Sequence, residues 1–98
     1  MASYYCYIIY SHTLERFYTG VTHTKLSDRI EKHNIGSYGD HRYTSYADDW
    51  ELFLAIPCAT YSQAMRIERH IKRMKSSVYI RNLLKYPEMV TKLLAKYT

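Results

Sequence analysis

The sequence predicts an α/β (α+β) fold: a small three-stranded antiparallel sheet flanked by helices, with elements in the order ββαβααα. Three observations carry this. Two aromatic and β-branched runs, YYCYIIY and FYTGV, lie near the N-terminus, separated by the polar segment SHTLER. A third run, WELFLAIPC, follows a stretch rich in Gly, Ser and Asp. The rest of the chain carries apolar residues three and four apart, the period of helices that pack by one face. A chain of 98 residues has room for one apolar core, so residues 1–98 are expected to form one domain.

Each element has its own local reason. Residues 4–10 are apolar without alternation, which suits a strand buried on both faces. Phe17 to Val21 reads as the second strand, and the short connection between them suggests an antiparallel hairpin. Leu26 and Ile30 stand one helical turn apart and Gly36 supplies a stop, which sets a helix over residues 25–35. Residues 36–49, GSYGDHRYTSYADD, show no periodicity and read as a loop. The third strand opens at Trp50 and is closed by Pro57.

Thr60 then offers an N-cap, with Gln63 placed to reach back in a capping box. Ala64, Ile67, Ile71 and Met74 form the apolar stripe of the clearest amphipathic helix in the chain. Ser76 or Ser77 can cap a further helix through Val78, Ile80, Leu83 and Leu84, and Pro87 suits the first turn of a last one.

Composition excludes several classes. A hydrophobic fraction of 47% with 23% charged residues is that of an ordinary globular protein, not a disordered one. No run approaches the ~18 apolar residues of a membrane span, and the seven-residue stretch from Tyr4 has no basic segment before it. No membrane partner and an intracellular, cytoplasmic location are expected, with Cys6 and Cys58 reduced. The two cysteines are far apart in sequence and make no metal-type cluster. Twelve tyrosines against two Phe and one Trp mean that most of the large aromatic surface carries a hydroxyl needing water or a partner.

Net charge is +5, and it is unevenly spread. Residues 1–62 hold five Lys/Arg and seven Asp/Glu, whereas residues 63–98 hold nine Lys/Arg and two Asp/Glu. That asymmetry points to a polyanion, nucleic acid before membrane. Arg66, Arg69, His70 and Arg73 fall on one side of the amphipathic helix as a basic stripe with few acids to pair with, and Lys72 and Lys75 are expected to contact nucleic acid as well. In the 36–49 loop, Tyr38, His41, Arg42, Tyr43 and Tyr46 alternate aromatic and cationic character, the composition of a base-stacking and backbone-contacting segment. An ordinary solvated helix face and an ordinary polar loop are the plainer readings of both.

Two sets of polar residues sit on apolar faces. Leu26, Arg29, Ile30 and His33 share one side of their helix, so the guanidinium and the imidazole lie on the side that packs inward. Such a pair is ordinarily a snorkelling cation beside a satisfied imidazole. Glu68 stands beside Ile67 on the later helix, the one acid between Glu51 and Glu88. A carboxylate there needs a cation or a metal to offset its desolvation.

The segments YCYIIY at 5–10 and FYTGVT at 17–22, followed by Arg29, His33, Trp50, Glu68 and IKRMKS at 71–76, resemble the GIY-YIG nuclease superfamily in order and spacing. The first motif is loose, with Tyr5-Cys6-Tyr7 for Gly-Ile-Tyr, and the second is Tyr18-Thr19-Gly20, with Thr at its centre. The turn between Gly20 and Arg29 is also about a residue longer than expected. The resemblance implies a divalent-metal-dependent endonuclease cutting DNA in repair, recombination or processing. Within it, Tyr7 and Tyr18 would stand near the nucleophilic water, Arg29 would hold the scissile phosphate and His33 would assist proton transfer. Glu68 would bind one Mg²⁺ or Mn²⁺ ion, and Asn82 would match a further polar position.

The chemistry agrees with those roles. Phosphodiester hydrolysis needs an activated water, neutralised phosphate charge and help for the leaving oxygen. One carboxylate suits Mg²⁺, which keeps most of its waters. Arg presents a fixed fork to phosphate oxygens. A tyrosine base, with a reference pKa of about 10, needs cations nearby, and a histidine with a reference value near 6.5 competes for the role. Two other classes stay open: a nucleic-acid-binding module without turnover, and a basic protein-interaction domain. Target choice would come from shape recognition of branched or single-strand-containing DNA, or from a protein partner.

Overall fold

A computed structural model describes residues 4–35 and 47–98. Its elements are β1 (Tyr4–Ser11), β2 (Arg16–Thr22), α1 (Leu26–Asn34), β3 (Trp50–Cys58), α2 (Tyr61–Met74), α3 (Ser77–Lys85) and α4 (Pro87–Lys96), the expected ββαβααα order. The strands form one antiparallel sheet in the order β2-β1-β3. As the middle strand, β1 has a covered surface on either side, and Cys6, Tyr7, Ile8 and Ile9 are all buried in succession. This is the physical reason for its unbroken apolar run.

Because strand side chains alternate, the sheet makes two cores. Cys6, Ile8, Ile56 and Cys58 pack with Ala64, Ile67 and Ile71 of α2, Leu83 of α3 and Leu93 of α4. On the opposite side Tyr7, Ile9 and Trp50 pack with Tyr18 and with Leu26 and Ile30 of α1. Each fully buried Ile or Leu contributes roughly 1.5–3 kcal/mol. Three helices therefore cover one face and α1 helps to cover the other, which puts its Arg29–His33 edge against the Tyr7 side.

Several local expectations are refined. The strands of the hairpin run further than the apolar residues alone suggest, leaving a turn over residues 12–15 in which Glu15 adopts a left-handed conformation (φ 51°). Asp49 accepts hydrogen bonds from Ser11 Oγ at 2.6 Å, Thr13 N at 2.8 Å and Thr13 Oγ1 at 3.0 Å, so the turn is tied to the start of β3. Those donors hold the Asp49 carboxyl well below the usual range, at about 2. Thr60 caps α2 by accepting from Gln63 N at 3.0 Å. Gln63, however, accepts from Ala59 N at 2.8 Å, one residue before the expected partner, and donates to Leu94 O at 3.0 Å. That second bond draws its amide toward α4. Ser76, not Ser77, caps α3 by accepting from Tyr79 N at 3.1 Å.

Cys6 and Cys58, distant in sequence, lie in the same core on neighbouring strands because Cys6 pairs with Ile56, two residues from Cys58. Both are free thiols, and burial pushes each upward from its ordinary value. Among the described residues no helix is long and apolar enough to cross a membrane.

Candidate active site

The side chains singled out on β1 and α1 meet. Tyr7 Oη lies 2.7 Å from His33 Nε2, and Arg29 Nε donates to the same hydroxyl at 3.4 Å. Tyr7 is 1% exposed and His33 3% exposed, so this is a buried polar group inside the second core. An unsatisfied hydroxyl there would cost roughly 1–3 kcal/mol. Arg29 and His33 occupy the positions that satisfy it, one helical turn apart on α1.

The backbone around His33 is held independently. Asn34, the last residue of α1, donates to Trp50 O at 2.9 Å and accepts from Trp50 N at 2.6 Å. Its amide thereby fastens the helix end to the start of β3. The Trp50 ring packs against Tyr18, with centroids 6.5 Å apart. Nothing in the spacing of the sequence singles out Asn34.

Tyr18 takes a different place from Tyr7. Its ring meets His33 with centroids 5.1 Å apart, and that of Tyr7 meets the same imidazole at 5.9 Å, so His33 serves both tyrosines. Tyr18 lies on the edge strand and is only half-buried. It borders a cleft of about 280 Å³ that Phe17, Thr19, Lys72, Lys75 and Ser76 also line. The two phenols therefore differ in access: one is sealed in, the other opens on a basic cleft.

Gly20 explains how the Tyr7 ring fits. It is the cross-strand partner of Tyr7, and a Cβ at this position would stand 2.5 Å from Tyr7 Oη and 2.7 Å from its Cζ. Only a residue without a side chain lets the phenol lie across β2 to reach His33. The last position of the Tyr18-Thr19-Gly20 motif thus has a steric cause.

Glu68 reaches the group through a neighbour. Its carboxylate is 16% exposed and lies 3.7 Å from Lys72 Nζ, one turn along α2. The same ammonium sits 5.4 Å from the centroid of the Tyr18 ring. Lys72, expected to contact nucleic acid, spans Glu68 and Tyr18 at the edge of the sheet. Among the described residues no group of three or more His, Cys, Asp and Glu is placed to hold a metal ion.

The remaining basic residues divide. Arg66, Arg69 and Arg73 are exposed on α2, and Lys75, in a left-handed conformation at its C-cap, lines the cleft beside Tyr18. His70 does not belong with them. Its Nδ1 is 2.9 Å from Tyr97 Oη and its Nε2 3.1 Å from Tyr79 Oη, so it faces α3 and the end of α4. A position at i+4 from Arg66 sits between the apolar and solvent sides of a helix, and here two phenols claim it. Arg42 and Tyr43, together with Tyr38, His41 and Tyr46 of the 36–49 segment, lie outside the described residues. Asn82 stands half-buried on α3.

The family model of the GIY-YIG catalytic domain matches residues 3–82 of the chain. The protein therefore belongs to the GIY-YIG family, a nuclease-type family whose members act on DNA. The matched segment spans every element from β1 into α3, which is the part of the fold that assembles Tyr7, Tyr18, Arg29, His33 and Glu68. Comparison with curated proteins and with solved structures returned no significant match.

Proposed function

We propose that this chain is a divalent-metal-dependent endonuclease that hydrolyses phosphodiester bonds in DNA during repair, recombination or processing inside the cell. The observation that carries the reading is the convergence of Tyr7, Arg29 and His33 on one hydroxyl, with Tyr18 against the same imidazole, in a chain of a nuclease-type family.

The hydrogen-bond pattern suggests how a proton moves. Tyr7 Oη accepts from Arg29 and shares a proton with His33 Nε2, which either of the two can carry. The Tyr7–His33 pair is the acceptor for the proton that leaves the attacking water, and the Arg29 guanidinium stabilises negative charge developing on the phenol oxygen. A planar guanidinium such as that of Arg29 suits a phosphate oxygen better than an ammonium does. Tyr18, on the open side, orients the attacking water or the phosphate within the cleft it borders.

Glu68 is the residue that would hold the ion, Mg²⁺ or Mn²⁺. A largely buried carboxylate outside any cluster of three or more ligating residues, among those described, fits a hard cation that keeps several waters and takes substrate oxygens better than it fits an all-protein cage. When bound, such an ion supplies Lewis-acid stabilisation of phosphate charge. Lys72 balances the same carboxylate and adds a positive charge beside Tyr18.

The test is a cleavage panel of plasmid, linear duplex, flap, four-way junction and single-stranded DNA with Mg²⁺ or Mn²⁺. Glu68→Ala and Arg29→Ala are each expected to lower cleavage by about 10²- to 10³-fold while DNA binding persists, the order seen when one electrostatic stabiliser is removed. Cleavage at the original rate by Glu68→Ala protein would overturn the assignment.

A further inference from the structure

At the hairpin end of the sheet, away from Tyr7 and His33, a second cleft of about 300 Å³ opens between the strands and α3. Tyr10, His12, Phe17, Phe53, Glu51 and Arg81 line it. Its rings form a continuous series: His12 to Tyr10 at 5.0 Å between centroids, Tyr10 to Phe17 at 4.8 Å, and Phe17 to Phe53 at 4.9 Å. The Arg81 guanidinium lies 5.2 Å over the Phe17 ring. At the rim, the Glu51 carboxylate and His12 Nε2 are 2.7 Å apart, and both side chains are largely exposed. Leu52, 46% exposed, extends the apolar surface.

The two clefts adjoin. Phe17 borders both, and the consecutive α3 residues Ile80 and Arg81 line the one and the other. Along β2 and α3 the surface passes from Lys72 and Lys75 beside Tyr18, over Phe17, to Arg81 and the aromatic series. An apolar peptide would leave the Glu51–His12 pair and Arg81 without a role, and a purely anionic ligand would be repelled by Glu51. A nucleobase uses all of them. Its face stacks on rings and on a guanidinium plane, its edge offers donors to a carboxylate, and its backbone phosphate meets Arg81 and the lysines. A base held within a duplex cannot enter such a cleft, because both its faces are already stacked.

We propose that this aromatic cleft binds one unpaired base of DNA, adjoining the strand whose phosphates follow Lys75 and Lys72 toward Tyr18. The substrate class is then DNA with an unpaired nucleotide near the scissile bond. The proposal rests on the nuclease reading for the scissile bond alone; capture of the base requires no turnover.

The experiment places 2-aminopurine at a single unpaired position of an otherwise duplex oligonucleotide. The full chain is titrated in chelator against this DNA and against the fully paired duplex of the same sequence. The unpaired DNA is expected to bind about tenfold more tightly, with its fluorescence altered by stacking. Arg81→Ala, at an exposed position, and Phe53→Leu, which keeps an apolar side chain, are each expected to reduce that preference to within about twofold. Equal affinity for the two DNAs, or an unchanged preference in both variants, would overturn the proposal. Cleavage of the same oligonucleotides with Mg²⁺ separates the two readings. Cleavage without a base preference removes the subsite and leaves the nuclease, whereas a base preference without cleavage does the reverse.

Discussion

The Tyr7 phenol lies across the α-carbon of Gly20, its cross-strand partner, so closely that a methyl group there would stand 2.5 Å from the hydroxyl oxygen. The ring cannot yield easily, since it is 1% exposed and its hydroxyl is engaged by His33 and Arg29. Gly20→Ala is therefore expected to destabilise the fold by about 1–3 kcal/mol, the range of overpacking substitutions, and to lower cleavage through displacement of Tyr7. Thermal unfolding and a cleavage assay on the same protein check this together. An unchanged melting temperature would mean that the ring has room which its neighbours do not suggest.

Arg66, Arg69 and Arg73 are exposed on α2 and, unlike Lys72, have no role in the edge group. If they meet phosphates, replacing all three with Ala reduces the slope of log affinity against log salt by about two to three on duplex DNA. Fluorescence anisotropy at several salt concentrations measures that slope. A slope equal to that of the unaltered chain would assign α2's outer side to solvent alone.

His70 predicts a pH dependence of stability. Burial, and then the positive charges of Lys96 and Arg73, hold its imidazole below the ordinary value of 6.5. The unfolded chain thus binds a proton more readily than the folded one, and stability rises with pH in this range. The contribution is complete above the unfolded value and is lost progressively as pH falls through 6.5 toward the lower folded value. Melting temperatures between pH 8 and pH 5 should decline. His70→Gln, which keeps hydrogen-bonding capacity without a titrating ring, should flatten that decline while lowering stability at pH 8 through altered bonds to Tyr79 and Tyr97.

Glu15 holds a left-handed backbone in the hairpin turn, at φ 51°. A side chain in that conformation costs about 1 kcal/mol, which glycine avoids at the expense of a more flexible unfolded chain. Glu15→Gly is expected to be stabilising by a few tenths of a kcal/mol to about 1 kcal/mol, visible as a rise of a few degrees in melting temperature. A fall would show that the exposed Glu15 side chain contributes more than the strain it imposes.

The site was legible in the sequence where its residues follow a local period. Arg29 and His33 stand out because helical spacing puts them on the same side as Leu26 and Ile30, and that side does pack against Tyr7. Glu68 stands out because it interrupts an apolar stripe. Asn34 left no such mark: its amide pairs with the backbone of Trp50, and backbone partners have no signature in a sequence. His70 was misread for a related reason. Its spacing from Arg66 and Arg73 is that of a shared side, but the tyrosines that claim it arrive from α3 and the chain beyond α4.

By itself, then, the order of residues determined the strands, the helices and the Thr60 cap of α2, since each depends on propensities and periodicities within a turn or two of chain. It also determined that the second half would be the basic one. Only the tertiary structure decided that Tyr7 is sealed and Tyr18 open, that Gly20 makes way for a phenol, and that Lys72, one turn from Glu68 on the same helix, lies over the Tyr18 ring. Those relationships come from sheet order and from which helix covers which face. They are set by packing between segments distant in the chain, where local spacing carries no information.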